Sequence, residues 1–251
     1  MAKVYFIGAG PGDPDLITVR GKKIIEQADV VIYAGSLVNR EIIECRKPGS
    51  LVYNSASMTL EEVIDVIRKN SATSDIIARV HTGDPSIYGA IREQIDELLK
   101  LSIPYEVVPG VSSFTAAASV LGMEFTLPGV SQTVICTRLE GRTPVPESED
   151  LELLASHRAS MAIFLSVHMI DEVVRKLKVH YCGDTPVAIV QKATWPEQKI
   201  VAATLDSIAH RVKSEEIDKT AIILIGDFLG GEYSRSRLYD AGFTHGFRKG
   251  L

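Results

Sequence analysis

Apolar residues fall in short β-branched runs separated by segments of helical period, from the first residues onward. Val4–Ile7, Asp29–Ala34, Leu51–Tyr53, Asp75–His81 and Tyr105–Val108 are apolar nearly throughout, as strands covered on both faces should be. Thr18–Ala28 carries Val19, Ile24 and Ile25 on one side. Thr59–Asn70 opens on Thr-Leu-Glu-Glu, a capping box in which Thr59 and Glu62 satisfy free backbone N–H groups. A third helix, from about Ile87 to Lys100, turns Ile91, Ile95, Leu98 and Leu99 inward. This alternation predicts an α/β fold of βαβ units on a mostly parallel sheet.

The texture changes at Pro109–Leu121, an uncharged stretch of small residues, and a domain junction is expected there. The chain then divides into an N-terminal α/β domain over 1–110, a C-terminal one over 111–230 and an extended arm over 231–251. Second-half strands are predicted at Thr133–Arg138, Met161–Ser166, Pro186–Gln191, Lys199–Ala202 and Ala221–Ile225, with mixed pairing. Helices are predicted at Leu151–His157, His168–Lys178 and Asp206–Lys213. The tail is rich in Gly, Ser, Arg and Tyr and holds no sustained apolar period.

The balance of 27 basic and 32 acidic side chains over 251 residues, a net −5, gives no general attraction to nucleic acid or to an anionic membrane. No apolar run approaches a membrane span, and the start reads as a strand rather than a signal peptide, so a cytoplasmic protein is expected. Cys45, Cys136 and Cys182 form no CxxC pair and read as small buried hydrophobes; neither a disulfide framework nor a bound metal is suggested.

Two glycine loops follow strands and open helices. GAGPGDPD, Gly8 to Asp15, sits where an α/β sheet presents a ligand. The dinucleotide fingerprint needs glycine at positions one, three and six, and here the sixth is Asp13. That acidic side chain and Pro11, which lacks an N–H, both disfavour a phosphate. The blander alternative is a loop that only turns the chain. TGDPSIYG, Thr82 to Gly89, is the second loop. Gly83 lets a ligand approach the backbone, and Asp84 either caps the next helix or receives a hydrogen bond from a ligand. His81 reads as a strand-end core histidine. Two such loops suggest one shared cleft.

GAGPGDPDLIT, HTGDPSIYGA and VPGVSSFTAAA together resemble the tetrapyrrole methylase family, the S-adenosylmethionine-dependent enzymes of corrin and sirohaem synthesis. YAGSLV, TRLEGRTPVPE, YCGDTP, QKATWPEQKI and SRLYDAGFTHGFR are similar to the branch that methylates C11 of precorrin-4 or its cobalt complex. The resemblance implies a tetrapyrrole methylase fold of two αβα domains with a cofactor cleft between them, a homodimer, and S-adenosylmethionine converted to S-adenosylhomocysteine. Methylation of a different carbon of a precorrin or uroporphyrinogen-type tetrapyrrole is the alternative. A nucleotide-binding module without catalysis would not need the second loop, and an RNA methylase should show a basic face with aromatics.

Carried over position by position, the resemblance implies cofactor contacts at Pro11, Gly83, Asp84, Ile87, Ser112, Ser113, Leu165 and Ala193. Related uroporphyrinogen methylases have an aspartate after the tyrosine matching Tyr33, whereas Ala34-Gly35-Ser36 follows here, so no general base is assigned there. Tyr88, Ser36 and Asp84 are the acid–base candidates. A substrate rimmed with carboxylates calls for cations, and Arg138, Arg142 and Lys192, at or near second-domain strand ends, are the choices, against the alternative of solvated surface charge. Trp195 either stacks on the macrocycle or anchors its own turn.

Overall fold

The computed structural model describes residues 2–250, except the side chain of Ser36, so the role expected of that hydroxyl lies outside the described residues. Contacts divide the chain into two units, Met1–Ala116 with Thr194–Pro196, and Ala117–Ala193 with Glu197–Leu251.

The first unit holds five parallel strands: β1 (Lys3–Gly8), β2 (Val30–Tyr33), β3 (Leu51–Asn54), β4 (Ile76–His81) and β5 (Tyr105–Val108), in the order β3-β2-β4-β1-β5. Alternation along each strand splits the apolar side chains between two faces. Phe6, Ile32 and Ile77 pack with Ile67 of α3 (Leu60–Asn70) and Leu98 of α4 (Ile91–Lys100). Ile7, Val31 and Val80 pack with Ile25 of α1 (Val19–Gln27) and Ile42 and Ile43 of α2 (Arg40–Glu44). Thr18 caps α1 by accepting from the Gly21 N–H at 3.1 Å, and the Thr59–Glu62 capping box starts α3 as expected.

Three elements depart from the sequence expectation. Helix α4 begins at Ile91 rather than near Ile87, because Tyr88 and Ala90 take positive φ angles of 54° and 48° that interrupt any helical run. Helix α2 spans five residues, too short for a period to show. Helix α5 (Ser113–Leu121) occupies the small-residue stretch read as a junction, and the division between the units falls within it, after Ala116. Alanine favours helix whatever its burial, so no amphipathic stripe marked it.

The second unit is a mixed sheet of β6 (Val134–Arg138), β7 (Ser160–Phe164), β8 (Pro186–Gln191), β9 (Lys199–Thr204) and β10 (Ala221–Ile225), ordered β6-β7-β10-β8-β9. Only β6 and β7 pair parallel; the other pairs are antiparallel, as the sequence suggested. Its core joins Ile163, Ile189 and Ile223 to Leu151 of α6 (Leu151–Ala155), Val173 and Leu177 of α7 (Ile170–Leu177), and Ile208 and Val212 of α8 (Ile208–Ser214). Since β7 and β8 both run opposite to β10, the C-terminal ends of β6, β7 and β8 lie along one edge of the sheet.

Residues 231–250, expected as an extended arm, are almost all exposed and group with the second unit. The Arg248 guanidinium donates to the carbonyls of Leu238 at 2.9 Å and Asp240 at 2.5 Å, and the Gly250 N–H donates to Thr244 Oγ1 at 3.0 Å, closing the segment on itself. The cysteines are not buried: Cys136, on edge strand β6, and Cys182, in the turn after α7, are exposed, and Cys45 is half-buried. Among the described residues no helix is long and apolar enough to cross a membrane.

Candidate active site

Strands β1 and β4 are neighbours, yet the chain leaving β1 enters α1 on one face of the sheet and the chain leaving β4 enters α4 on the other. Such a divergence opens a crevice at the carboxyl ends of the two strands, where ligands of open α/β sheets bind. Both glycine loops lie there. They are joined by backbone bonds, Gly10 N–H to Gly83 O at 3.3 Å and Gly83 N–H to Gly10 O at 2.8 Å.

A third segment, Pro109–Ser113 after β5, closes on the other two. A Cβ built on Gly8 would stand 2.6 Å from both Gly110 Cα and Gly83 O, and one on Gly110 would overlap Gly83 O and stand 2.7 Å from Gly8 Cα. Only glycine permits this approach. Asp84 fastens it: Oδ2 accepts from the Gly110 N–H at 2.9 Å, and Oδ1 accepts from the N–H and hydroxyl of Ser86 at 2.8 and 2.5 Å. Burial works against the Asp84 anion, but the bonds from Ser86 and Gly110 outweigh it and hold the carboxyl below its ordinary range. Asp84 is thus a fixed anion that closes a turn on Ser86 and ties it to the third segment; it caps no helix, since α4 begins only at Ile91, after Ala90 and without a side-chain cap.

The first loop is held from two further sides. Asn39 Nδ2 donates to Gly12 O at 3.0 Å. The Thr194–Pro196 turn, which belongs to this unit, receives the Asp13 N–H on Thr194 Oγ1 at 3.0 Å and donates Trp195 Nε1 to Pro11 O at 2.7 Å. The indole lies where a Gly12 side chain would stand. Of the two readings of Trp195, the structure supports the anchor.

Gly83 behaves differently from its neighbours. With φ of 61°, it has nothing nearer a notional Cβ than Ser112 Cα at 3.7 Å and Ser113 N at 3.8 Å, so space is open above it. Pro11 and Ser112 are buried, and Asp84, Ile87 and Ser113 half-buried, around the same three loops. The six first-unit residues expected to meet the cofactor therefore lie on one knitted strand-end site. Tyr88, on the second loop, is half-exposed and left-handed.

The remaining expected residues lie on the shared edge of the second sheet. Leu165 follows β7 with φ of 55° and is 63% exposed, an unusual state for a leucine, while buried Ser166 Oγ accepts from the Leu139 N–H at 2.8 Å. Lys192 follows β8 with φ of 47°, its Nζ 3.9 Å from Glu197, and Ala193 beside it is buried. Arg142 is exposed in the loop after β6. Arg138, expected as a two-pronged carboxylate clamp, is engaged by carbonyls of its own loop. Its guanidinium donates to the carbonyls of Leu139, Thr143 and Pro144 at 3.4, 3.0 and 2.6 Å and so shapes the loop that carries Arg142.

Sequence reasoning missed Arg79 and Gln94. A cavity of about 460 Å³ in the first unit is lined by Arg79 and His81 of β4 and by Gln94 of α4, all three buried. Burial lowers the Arg79 guanidinium to about 10, still charged at neutral pH. Burial first, and the Arg79 charge second, push His81 down to about 3, leaving a neutral imidazole. A charge in an otherwise apolar strand, Ile76–His81, was the available signal.

The model of tetrapyrrole (corrin/porphyrin) methylases matches residues 3–209, and the chain belongs to that family. It is 57% identical over 249 residues to a cobalt-precorrin-4 C(11)-methyltransferase of Methanocaldococcus jannaschii, covering 98% of this chain and 96% of the relative. A solved cobalt precorrin-4 methyltransferase, a cobalamin biosynthetic enzyme called CbiF, superposes with a TM-score of 0.88 at 47% identity, over 91% of this chain and 96% of that one. A uroporphyrin-III C-methyltransferase of Thermus thermophilus, solved in complex with S-adenyl homocysteine, superposes with a TM-score of 0.74 at 26% identity, over 91% and 93%.

Proposed function

We propose that this protein transfers the methyl group of S-adenosylmethionine to C11 of precorrin-4 or its cobalt complex, a step of cobalamin biosynthesis. The near full-length similarity to a methyltransferase of that specificity carries the reading. The geometry supports it: the three-loop crevice offers backbone and a clear space above Gly83, without the glycine a pyrophosphate would need at Asp13. Pro11, Gly83, Asp84, Ile87, Ser112 and Ser113 of the first unit, with Leu165 and Ala193 of the second, would hold the cofactor. Bound there, it supplies a methyl group activated by the positive sulfur.

The chain's own contribution is then alignment and exclusion of water. Holding donor and acceptor near contact in line can supply roughly 7–11 kcal/mol of a barrier. An electron-rich tetrapyrrole carbon makes a strong base dispensable. Tyr88 is the best placed of the acid–base candidates, because Asp84 already receives three hydrogen bonds and resists protonation. Arg142 and Lys192 would meet peripheral carboxylates, and Arg138 would keep the Arg142 loop in shape. The protein would act in the cytoplasm as a homodimer, which sedimentation of the purified protein checks.

The test is incubation with labelled S-adenosylmethionine and a mixture of precorrin intermediates, with the product read by mass spectrometry and carbon NMR. A new methyl on C11 is expected. A methyl on another ring carbon would favour the alternative acceptor position, and tight NAD binding without binding of the sulfonium would overturn the reading.

A further inference from the structure

The 460 Å³ cavity of the first unit holds a buried cation with no anion to match it. Arg79 is 7% exposed; its Nε donates to Gln94 Oε1 at 3.0 Å and Nη1 to Ile32 O at 3.4 Å, and among the described residues no carboxylate pairs with it. Two positions along β4, on the same face of the sheet, His81 is 5% exposed and its Nε2 has no hydrogen-bond partner among the described residues. Gln94 cannot supply what is missing, because its amide nitrogen already donates to Ala90 O at 2.9 Å. Glu93, the one acidic residue in the lining, is on the exposed side of α4. A buried charge without a counter-ion and a buried ring nitrogen without a partner are each costly to keep. Both are explained if a ligand completes them.

We propose that this cavity is a carboxylate subsite, in which Arg79 and the Nε2–H of His81 together hold one acid side chain of the tetrapyrrole rim. The inference rests on the methyltransferase reading above and adds to it an anchor for the acceptor in the first unit, apart from the cations of the second. A guanidinium offers a planar fork that fits a carboxylate, and the imidazole, neutral and in the Nε2–H tautomer, adds one more donor without a second charge. Fixing a rim group at a buried point would set the rotation of the macrocycle, and with it the carbon presented for methylation.

The experiment compares wild type, Arg79→Met and Arg79→Lys in titrations with three probes: S-adenosylhomocysteine, cobyrinic acid with free carboxylates, and its fully amidated form. Wild type should bind the free acid roughly tenfold or more tightly than the amide. Arg79→Met should cut that preference several-fold, leaving the part due to Arg142 and Lys192, keep its affinity for S-adenosylhomocysteine within about twofold, and melt no lower than wild type, since an unpaired buried charge has been removed. Arg79→Lys should fall between the two. His81→Phe should reduce the preference by a smaller factor. If Arg79→Met keeps the preference, or if it melts lower and weakens all three probes alike, Arg79 is architectural and the subsite is wrong. Should wild type methylate precorrin-4 while Arg79→Met retains the preference, only this inference falls; should wild type bind neither corrin, the methyltransferase reading falls with it.

Discussion

The strand ends of the first unit and those of the second are built on opposite plans. In the first, three loops meet backbone to backbone, with Gly8 and Gly110 so close to each other and to the Gly83 carbonyl that side chains are excluded at both, and carboxylate, amide and indole groups fasten the loops. In the second, the strand ends carry side chains outward: an exposed Leu165, a half-buried Lys192, and an arginine loop held open by Arg138. The contrast suits two ligands of different chemistry. On the reading proposed above, the main-chain mould of the first unit would hold most of a donor common to the family, while the side chains of the second would complete that site through Leu165 and Ala193 and meet the acceptor through Arg142 and Lys192.

The largest difference between the two plans should appear on adding one methyl group. Gly8→Ala forces a Cβ onto two backbones that have no room to move and should cost about 3 kcal/mol of stability by urea denaturation. Gly141→Ala, in the loop after β6, meets nothing closer than Met169 Cε at 3.5 Å and should be near neutral. Equal costs would erase the distinction. Next, Gly83→Val should leave a native circular dichroism spectrum, with about 1–2 kcal/mol of strain from its left-handed backbone, and reduce S-adenosylhomocysteine affinity by roughly tenfold or more. Unchanged affinity by calorimetry would make the second loop a mere turn.

On the second unit, Arg142→Ala should weaken binding of a carboxylated corrin by about 1.5 kcal/mol with no change in melting temperature or cofactor affinity. Arg138→Ala should lower both the melting temperature and corrin affinity, because its loop carbonyls lose their donors; the reverse pattern would restore Arg138 as a direct clamp. Trp195→Phe keeps the ring but strips Pro11 O of its donor, and should cost about 1 kcal/mol of stability. The smallest effect is that of pH on Asp84. Its carboxyl is lowered in the folded protein, so the stability it adds is present above the ordinary carboxylate range and disappears as pH falls through that depressed value. Asp84→Asn should flatten that acid limb of the melting curve series, and a parallel fall in both proteins would assign it to another group.

Much of this arrangement is legible in the chain, and the exceptions share a cause. Strand cores and the Thr59 cap are encoded by local alternation and spacing, and β5, β8 and β10 fall where those patterns place them. The glycine loops are legible as a ligand site because glycine and proline cluster where a strand hands over to a helix, the end of an α/β sheet that receives ligands. What escapes a reading of the chain depends on distant partners. No local pattern says that Arg138 faces three carbonyls rather than solvent, that Trp195 finds Pro11, or that Cys136 sits on an edge strand. Arg79 is hidden for a different reason: one charge in a six-residue strand does not alter its apolar average, although its burial is the costliest in that strand.

The indole bond to Pro11 spans 184 positions of the chain, and the Asp84 bond to Gly110 spans 26. As the protein leaves the ribosome, β1 can find β4 and β5 only once those strands have emerged, and the first loop waits longer still, until Trp195 has been made. The three-loop crevice is therefore among the last features of its own unit to be finished, even though the first loop is translated before most of that unit. A chain released before that point could fold most of its first sheet and still present a slack first loop to the donor.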